Sequence, residues 1–492
     1  MALDARAVPR CPEAEVNAAG RFSFLGEERW LGDEPDWDQS GAERLWRFHL
    51  HGFEWAWAFA AHRDRPWASH HLRRLWRSWH DATTVGRGDA WSPFVASLRA
   101  WALCGTHALF AGTGDEDDLV DCMSVHAGYL RAHLELDVGG NHLVKNLKAL
   151  VGLGVFLGDA AVVEATTRRL RHQLDRQVLP DGGHYERSPS YHAQVLGDLV
   201  DISGLLAAGG GPQVEGLPTA IASMRGWLGA MLMTDGDVPL FNDCTLVGAD
   251  RLAALAPAPA PAEPLTVLQP SGYVVVRTGR LHLVADVGLP CPPELPAHAH
   301  ADCLSFELAV DGRRLVVDTG TSTYRAGPRR AYERSTAAHS TVEVGGADQT
   351  EVWGVFRAAR RAVPRLEQAT LDDGAAVMVA SHGGYERLPG RPRHRRTWRV
   401  SDTWVEIVDD VTGGAAHRAV ARLVLAAGTE VEPLGDGRFR AGPAVVSLTG
   451  GTAGVEAVEV ARGFGDLRPA TSLTLSADGP LPRRLVTRVA LG

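Results

Sequence analysis

The feature that most constrains this chain is the stretch Ala256 to Pro264, APAPAPAEP. Closely spaced prolines remove backbone donors and clash with the preceding turn, so no helix passes through it and it reads as a linker. The patterns on its two sides differ. From about Gly41 to Leu255 apolar residues recur at helical spacing, as in Leu143, Val144, Leu147, Leu150 and Val151. Beyond it come short strand-like runs, Tyr273 to Val276, Leu281 to Ala285, Leu304 to Val310, Leu315 to Val317, Trp404 to Val408 and Arg422 to Leu425, with Asp311-Gly312 as a hairpin turn. With no βαβ alternation, the expectation is an α+β multidomain chain: a helical domain over 1–255, a linker over 256–264 and an antiparallel β-domain over 265–492.

At 492 residues the chain exceeds one ordinary hydrophobic core. Its 50 basic against 59 acidic residues give a net charge of -9, which argues against a general nucleic-acid binder and requires any anionic substrate to be met locally. The first residues, MALDARAVPRCPEAEV, lack the apolar core of a signal peptide, and no apolar run has membrane length, so a soluble protein retained in the cytoplasm is expected. Six cysteines are scattered without a CxxC pair and read as reduced, buried thiols. Most tryptophans of the helical half, Trp46 to Trp101, read as core filling, with stacking on sugar rings as the alternative.

Three segments concentrate candidate chemistry. In Gly139-Gly140-Asn141-His142-Leu143-Val144-Lys145-Asn146, Asn141 is placed to cap a new helix; it either satisfies backbone donors there or helps hold a carboxylate against the helix start. In DGGHYERSPSYH (181–192), Ser188 and Pro189 open a helix and put Tyr191 in its first turn, where the local field is expected to ease phenolate formation, packing being the plainer alternative. In Pro296 to Asp302, His298, His300 and Asp302 would continue the apolar face of Leu304, Phe306 and Leu308 if the strand reaches back so far; buried there, they need a metal, a substrate or one another. Asp318 and His339 are possible further ligands.

Taken in order, these motifs resemble the heparinase II/III family over most of the chain. The stretches are LWRFHLHGFEW (45–55), GGNHLVKNLKALV (139–151), LPDGGHYERSPSYH (179–192), HAHADCLSFEL (298–308), RSTAAHSTVEV (334–344), QTEVWGVFRAARRA (349–362), HGGYERLPG (382–390) and HRRTW (394–398). The resemblance implies an N-terminal incomplete α/α toroid followed by a C-terminal antiparallel β-sandwich. It implies a lyase that cleaves uronic-acid-containing, glycosaminoglycan-like polysaccharide by β-elimination. Asn141 with His142 would neutralise the uronate carboxylate, and Tyr191 and His298 would move protons. Glu186, Arg187, Trp353 and His382 would touch the anionic substrate. His300, Asp318 and His339 would bind one divalent ion in a structural role, zinc or manganese from the mixed nitrogen and oxygen donors. Lys145 departs from the pattern, since many relatives carry glutamate there.

Two other classes stay open. A toroid-fold glycoside hydrolase needs two carboxylates about 5 to 9.5 Å apart, with Asp181, Glu186 and Asp235 as candidates. A non-catalytic carbohydrate-binding or assembly protein would keep the scaffold without turnover.

Overall fold

The computed structural model describes residues 14–256 and 263–492. Most of the proline-rich linker (257–262), Cys11 and the start of the chain (1–13) lie outside the described residues. Helices fill the chain from Arg44 to Leu255, and antiparallel strands dominate from Leu265 onward, so the change of periodicity marks the change of structure. Among the elements outside that pattern are a hairpin of Arg21–Phe24 with Glu27–Trp30 and a short helix Pro328–Arg334 inside the β-region. No helix among the described residues is long and apolar enough to cross a membrane.

By packing, the chain forms two compact units: residues up to Gln177 with Gln194–Ala222, and Val178–Ala193 with Ser223–Gly492. Helix Pro189–Ala208 thus contributes its first turn to the second unit and its remainder to the first. The first unit's core is aromatic. Trp46, Trp55, Trp76 and Trp79 are fully buried, as core filling requires, and the buried Arg99 guanidinium lies 4.2 Å from the Trp79 ring and 5.0 Å from that of Trp91. Helix Gly140–Phe156 buries nearly every residue from Leu143 to Gly154. Its lysines are neutralised: Lys145 Nζ donates to Asp198 at 2.7 Å, and Lys148 donates to Asp198 at 2.9 Å and also reaches Asp201. The expected buried thiols are observed, with Cys104, Cys122, Cys244, Cys291 and Cys303 free and buried.

The second unit is layered. One five-stranded sheet runs, in spatial order, Leu265–Leu268, Tyr273–Arg277, Leu281–Asp286, Phe306–Val310, Arg313–Val316. The turn between its last two strands has both Asp311 (φ 49°) and Gly312 (φ 82°) in the left-handed region, as a two-residue hairpin demands. An eight-stranded sheet runs from Arg365–Asp372 at one edge to Val431–Gly435 at the other, and a four-stranded sheet holds Val342–Val344 and Ala419–Val424. Side chains from all three sheets, among them Leu283, Leu308, Val344, Trp398, Ile407 and Leu475, share one core.

Strand Trp404–Thr412 shows how polar groups enter that core. Its burial alternates, turning Val405, Ile407, Asp409 and Val411 inward, and Asp409 is the one carboxylate in that row. Its direct cross-strand partner is Arg396, which donates to both carboxylate oxygens at 2.6 and 3.0 Å, while His394 bonds Oδ1 at 2.7 Å. Burial favours a neutral carboxyl, but Arg396 and His394 overcome it and take the pKa down to about 2. The other arm of Arg396 donates to Leu304 O at 2.7 Å and Ser340 O at 2.6 Å, so this pair also fastens two loops to the sheet.

Because it leaves a buried guanidinium without its anion, Asp409→Asn is expected to destabilise the protein by about 3 to 5 kcal/mol in urea unfolding at neutral pH. A depressed carboxyl pKa stabilises the fold fully above the unfolded value and progressively less as pH falls through the folded one. The difference between the two proteins should therefore shrink as pH drops from about 4 towards about 2. An equal difference across that window would contradict this account.

Candidate active site

The segment before Tyr191 is shaped by its glycines. Gly182 has φ 87°, and a Cβ there would lie 2.2 Å from Ser223 O, so only glycine fits this turn. The bend is locked by His184 N donating to His192 Nδ1 at 3.1 Å and by the contact of His192 Nε2 with Met224 O at 3.0 Å. Helix Pro189–Ala208 then opens as the sequence expects, with proline at its first position and Ser188 Oγ accepting from Tyr191 N at 3.5 Å. Tyr191 sits in that first turn and is half-buried.

The histidine segment departs from expectation. His298, His300 and Asp302 do not extend the strand, because Leu304 adopts φ 61° and the ladder begins only at Phe306. They lie on a buried loop instead, and Asp243 organises it. Asp243 Oδ2 accepts from His298 Nδ1 at 3.1 Å, and Oδ1 pairs with His300 Nε2 at 2.9 Å and accepts from Thr321 Oγ1 at 3.2 Å. Arg330 binds the same carboxylate with both terminal nitrogens, one at 2.7 Å. Burial and these donors oppose each other on Asp243, and the donors hold its carboxyl well below the usual range. Glu186 Oε2 faces the other nitrogen of His298 at 3.3 Å. Burial alone would lower the imidazole's pKa, yet carboxylates on both sides carry it up to about 9.

The Tyr191 ring lies against that of His298 with centroids 4.1 Å apart and planes tilted by 31°, and its hydroxyl lies 2.8 Å from that of Tyr324. The phenolate easing expected from the helix start does not hold. Burial first, then the negative field of Asp243 and Glu186, raises the phenol's pKa against the lowering by the Tyr324 hydrogen bond and Arg330. The resting phenol keeps its proton.

A second cluster lies beside this pair along the chain. His300, Asp302 and His339 each offer a ligand atom within 4.8 Å of the others'. Nδ1 of His300, Oδ1 of Asp302 and Nε2 of His339 are buried without a hydrogen-bond partner. Three such orphans facing one another fit a divalent cation. Asp318, expected among the ligands, bonds His339 Nδ1 at 2.7 Å, the position of a carboxylate that orients a ligating histidine.

The remaining expected site residues are distributed as follows. Asn141 does not cap its helix: Gly139 holds the cap position and Asn141 is the second helical residue, its Oδ1 accepting from Gln194 Nε2 at 3.3 Å within the first unit. His142 pairs with Glu135 at 3.0 Å and packs on Phe94. The Arg187 guanidinium is occupied by backbone, donating to Ser271 O at 2.6 Å and Pro270 O at 3.1 Å. His382 is buried against His394 at 3.3 Å and accepts from Gly384 N, whereas Trp353 is half exposed. Of the hydrolase candidates, Asp181 binds Ser271 and Asp235 pairs with Arg314. Asp243, Tyr324 and Arg330 were not singled out in the sequence. The one available signal was indirect, since two buried histidines call for an anion without naming it.

Residues 21–255 match the family model described as Heparinase II/III N-terminus, and residues 260–490 match that described as Heparinase II/III-like, C-terminal. Over 397 residues the chain is 27% identical to FtsZ-localized protein C of Caulobacter vibrioides, covering 80% of this chain and 65% of the relative. Over 314 residues it is 24% identical to a heparin-sulfate lyase of Bacteroides stercoris, covering 56% of this chain and 44% of that one. It therefore spans less than two thirds of either curated relative. Among solved structures, the crystal structure of heparinase III superposes with a TM-score of 0.82 at 16% identity, over 100% of this chain and 85% of that one, which establishes the fold.

Removing the Asp243 carboxylate leaves Arg330 buried without its counter-ion, so Asp243→Asn is expected to cost about 3 kcal/mol or more of stability. The check is urea unfolding of this variant beside Asp243→Asn/Arg330→Met, in which loss of the unpaired cation should restore part of the stability. No recovery in the double variant would refute the pairing.

Proposed function

The chain belongs to the heparinase II/III family, and on that premise we propose that it is a polysaccharide lyase that opens uronic-acid-containing chains by β-elimination. The observation that carries this reading is the Tyr191–His298 pair, two proton-transfer side chains at ring contact with the tyrosine only half-buried. In the reaction the C5 proton of the uronate goes to a base, the C4–O bond breaks, the departing oxygen takes a proton, and a C4=C5 double bond remains. Tyr191 is suited to protonate the leaving oxygen. His298 is the second proton-transfer group, used when the uronate epimer presents its C5 proton on the opposite face; in the syn case Tyr191 serves both steps, and whichever group takes the C5 proton must first give up the one it holds at rest.

His300, Asp302 and His339 would hold one divalent ion, zinc or manganese, with Asp318 orienting His339. When bound, the ion supplies positive charge that neutralises Asp302 and cross-links the histidine loop to the His339 segment. A second reading, a carbohydrate-binding or assembly protein without turnover, draws on the similarity to FtsZ-localized protein C.

Heparan sulfate, chondroitin sulfate, hyaluronan, alginate and glucuronan, assayed for ultraviolet-absorbing unsaturated product, separate these readings. At least one should be cleaved, and Tyr191→Phe should lower turnover about 100-fold or more without lowering the melting temperature. Binding without product by the unaltered protein would favour the second reading. Protein purified without chelator should carry about one equivalent of zinc or manganese, and His339→Ala should lose it together with thermal stability. Absence of a stoichiometric ion, with none taken up on titration, would overturn the metal assignment.

A further inference from the structure

One sheet edge of the second unit stands open along its whole length. Strand Arg365–Asp372 closes one side of the eight-stranded sheet, and its one paired neighbour among the described residues is Ala375–His382. The opposite edge, Val431–Gly435, carries Pro433 in its middle, and the outer strands of the five-stranded sheet have four residues each. The four-stranded sheet ends in Val342–Val344, of three residues, and in Thr452–Gly463, whose second half is engaged. There Ala461 N donates to Thr319 O at 2.7 Å, Arg462 O accepts from Leu246 N at 2.9 Å, and Glu459 O accepts from Arg329 at 3.2 Å. Arg365–Asp372 has eight residues and no proline, and as an edge strand it turns a row of N–H and C=O groups outward.

A bulge makes this strand symmetric. The register shifts between Leu366 and Gln368, so that Leu366, Ala369 and Leu371 stand opposite Ala380, Met378 and Ala376, at equal steps along the neighbouring strand. Arg365 and Asp372 stand opposite Ser381 and Ala375, again equidistant from Met378. Ala369 is thus the midpoint, with a leucine on each side and, one position further out, opposite charges. Leu366 packs on the core, whereas Leu371, on the same face because its partner Ala376 belongs to that core, is 56% exposed. Glu367 is held by Arg395 Nε at 2.9 Å and Ser381 Oγ at 2.6 Å. Arg365 and Asp372 have no ion-pair partner among the described residues, and about 20 Å of strand keeps them from reaching each other.

We propose that this edge pairs with the same edge of a second copy of the chain, antiparallel about a two-fold axis through Ala369. A strand laid on its own image in this way sets Arg365 against Asp372 and Leu366 against Leu371 on both sides of the axis. The exposed leucines are then covered, the end charges are paired, and the outward backbone groups find partners. Glu367 and Gln368 of each bulge face Thr370 of the other copy, so no like charges meet. The occupant is a second copy because the strand is complementary, in charge and in apolar pattern, to its own reverse. The dimer joins two eight-stranded sheets and makes no use of Tyr191 or His298.

The test is sedimentation velocity of the full chain over a concentration series, with hydrogen exchange followed on the same samples. The unaltered protein should pass from monomer to dimer, amides of residues 365–372 should gain protection as it does, and added salt should weaken the association. Arg365→Asp and Asp372→Arg should each weaken self-association about tenfold or more, because like charges then meet across the axis, while the melting temperatures of the monomers stay unchanged. Mixed together, the two single variants should form a heterodimer, since each introduced charge then faces its opposite. A protein that stays monomeric at the highest concentration reached, or a dimer indifferent to both reversals, would overturn the proposal. So would reversals that weaken the dimer while their mixture fails to restore it.

Discussion

The second unit is organised around one buried carboxylate. Asp243 is inaccessible and ionised, a state that a low-dielectric interior permits only if the charge is matched and its lone pairs are filled. Arg330 matches it, and His298, His300 and Thr321 fill the remaining positions. These four donors come from three segments, so satisfying one anion fixes the mutual positions of the histidine loop, the Thr321 segment and helix Pro328–Arg334. The same residue's backbone carbonyl accepts from Ser188 Oγ at 2.6 Å, which anchors the start of the Tyr191 helix to the node.

Electrostatics around that node also set the proton inventory. Two carboxylates flank His298 and favour its charged form, while the same negative field works against a Tyr191 phenolate. Two neighbouring groups are therefore shifted in the same sense, both towards retaining protons, Tyr191 by burial and then this field, His298 by the carboxylates against the opposing effect of burial. The sheet beneath takes part mechanically, since Arg396 is paired with Asp409 inside the sandwich while reaching Leu304 O and Ser340 O, next to the segments that end in Asp302 and His339.

The first unit uses matched charges for a different purpose. Lys145 and Lys148 on helix Gly140–Phe156 meet Asp198 and Asp201 at the same heptad-like spacing as the Asn141–Gln194 contact, forming a polar ladder between two helices. Lys145 is thereby accommodated, because its partner helix supplies the opposite charge.

Several of these features were legible in the sequence, each for a local reason. Helical and strand periodicities and the proline-rich break depend on near neighbours, so the two halves, the Asp311-Gly312 turn and the Ser188-Pro189 helix start could be read directly. Tyr191 and His298 were legible because they sit in dense motifs, and the structure brings them into contact. What only the tertiary structure decided was the pairing of buried charges. Asp243 lies 55 residues from His298 and 87 from Arg330 along the chain, and no spacing rule connects them. The carboxylate facing His300 and His339 is Asp302, which the extended reading had set in a strand row; the positive φ at Leu304 turned the chain and brought that oxygen to the histidines. Periodicity reports which side of an element is buried, whereas the partner of a buried charge is chosen by long-range packing, and that choice becomes visible only when the chain has closed on itself.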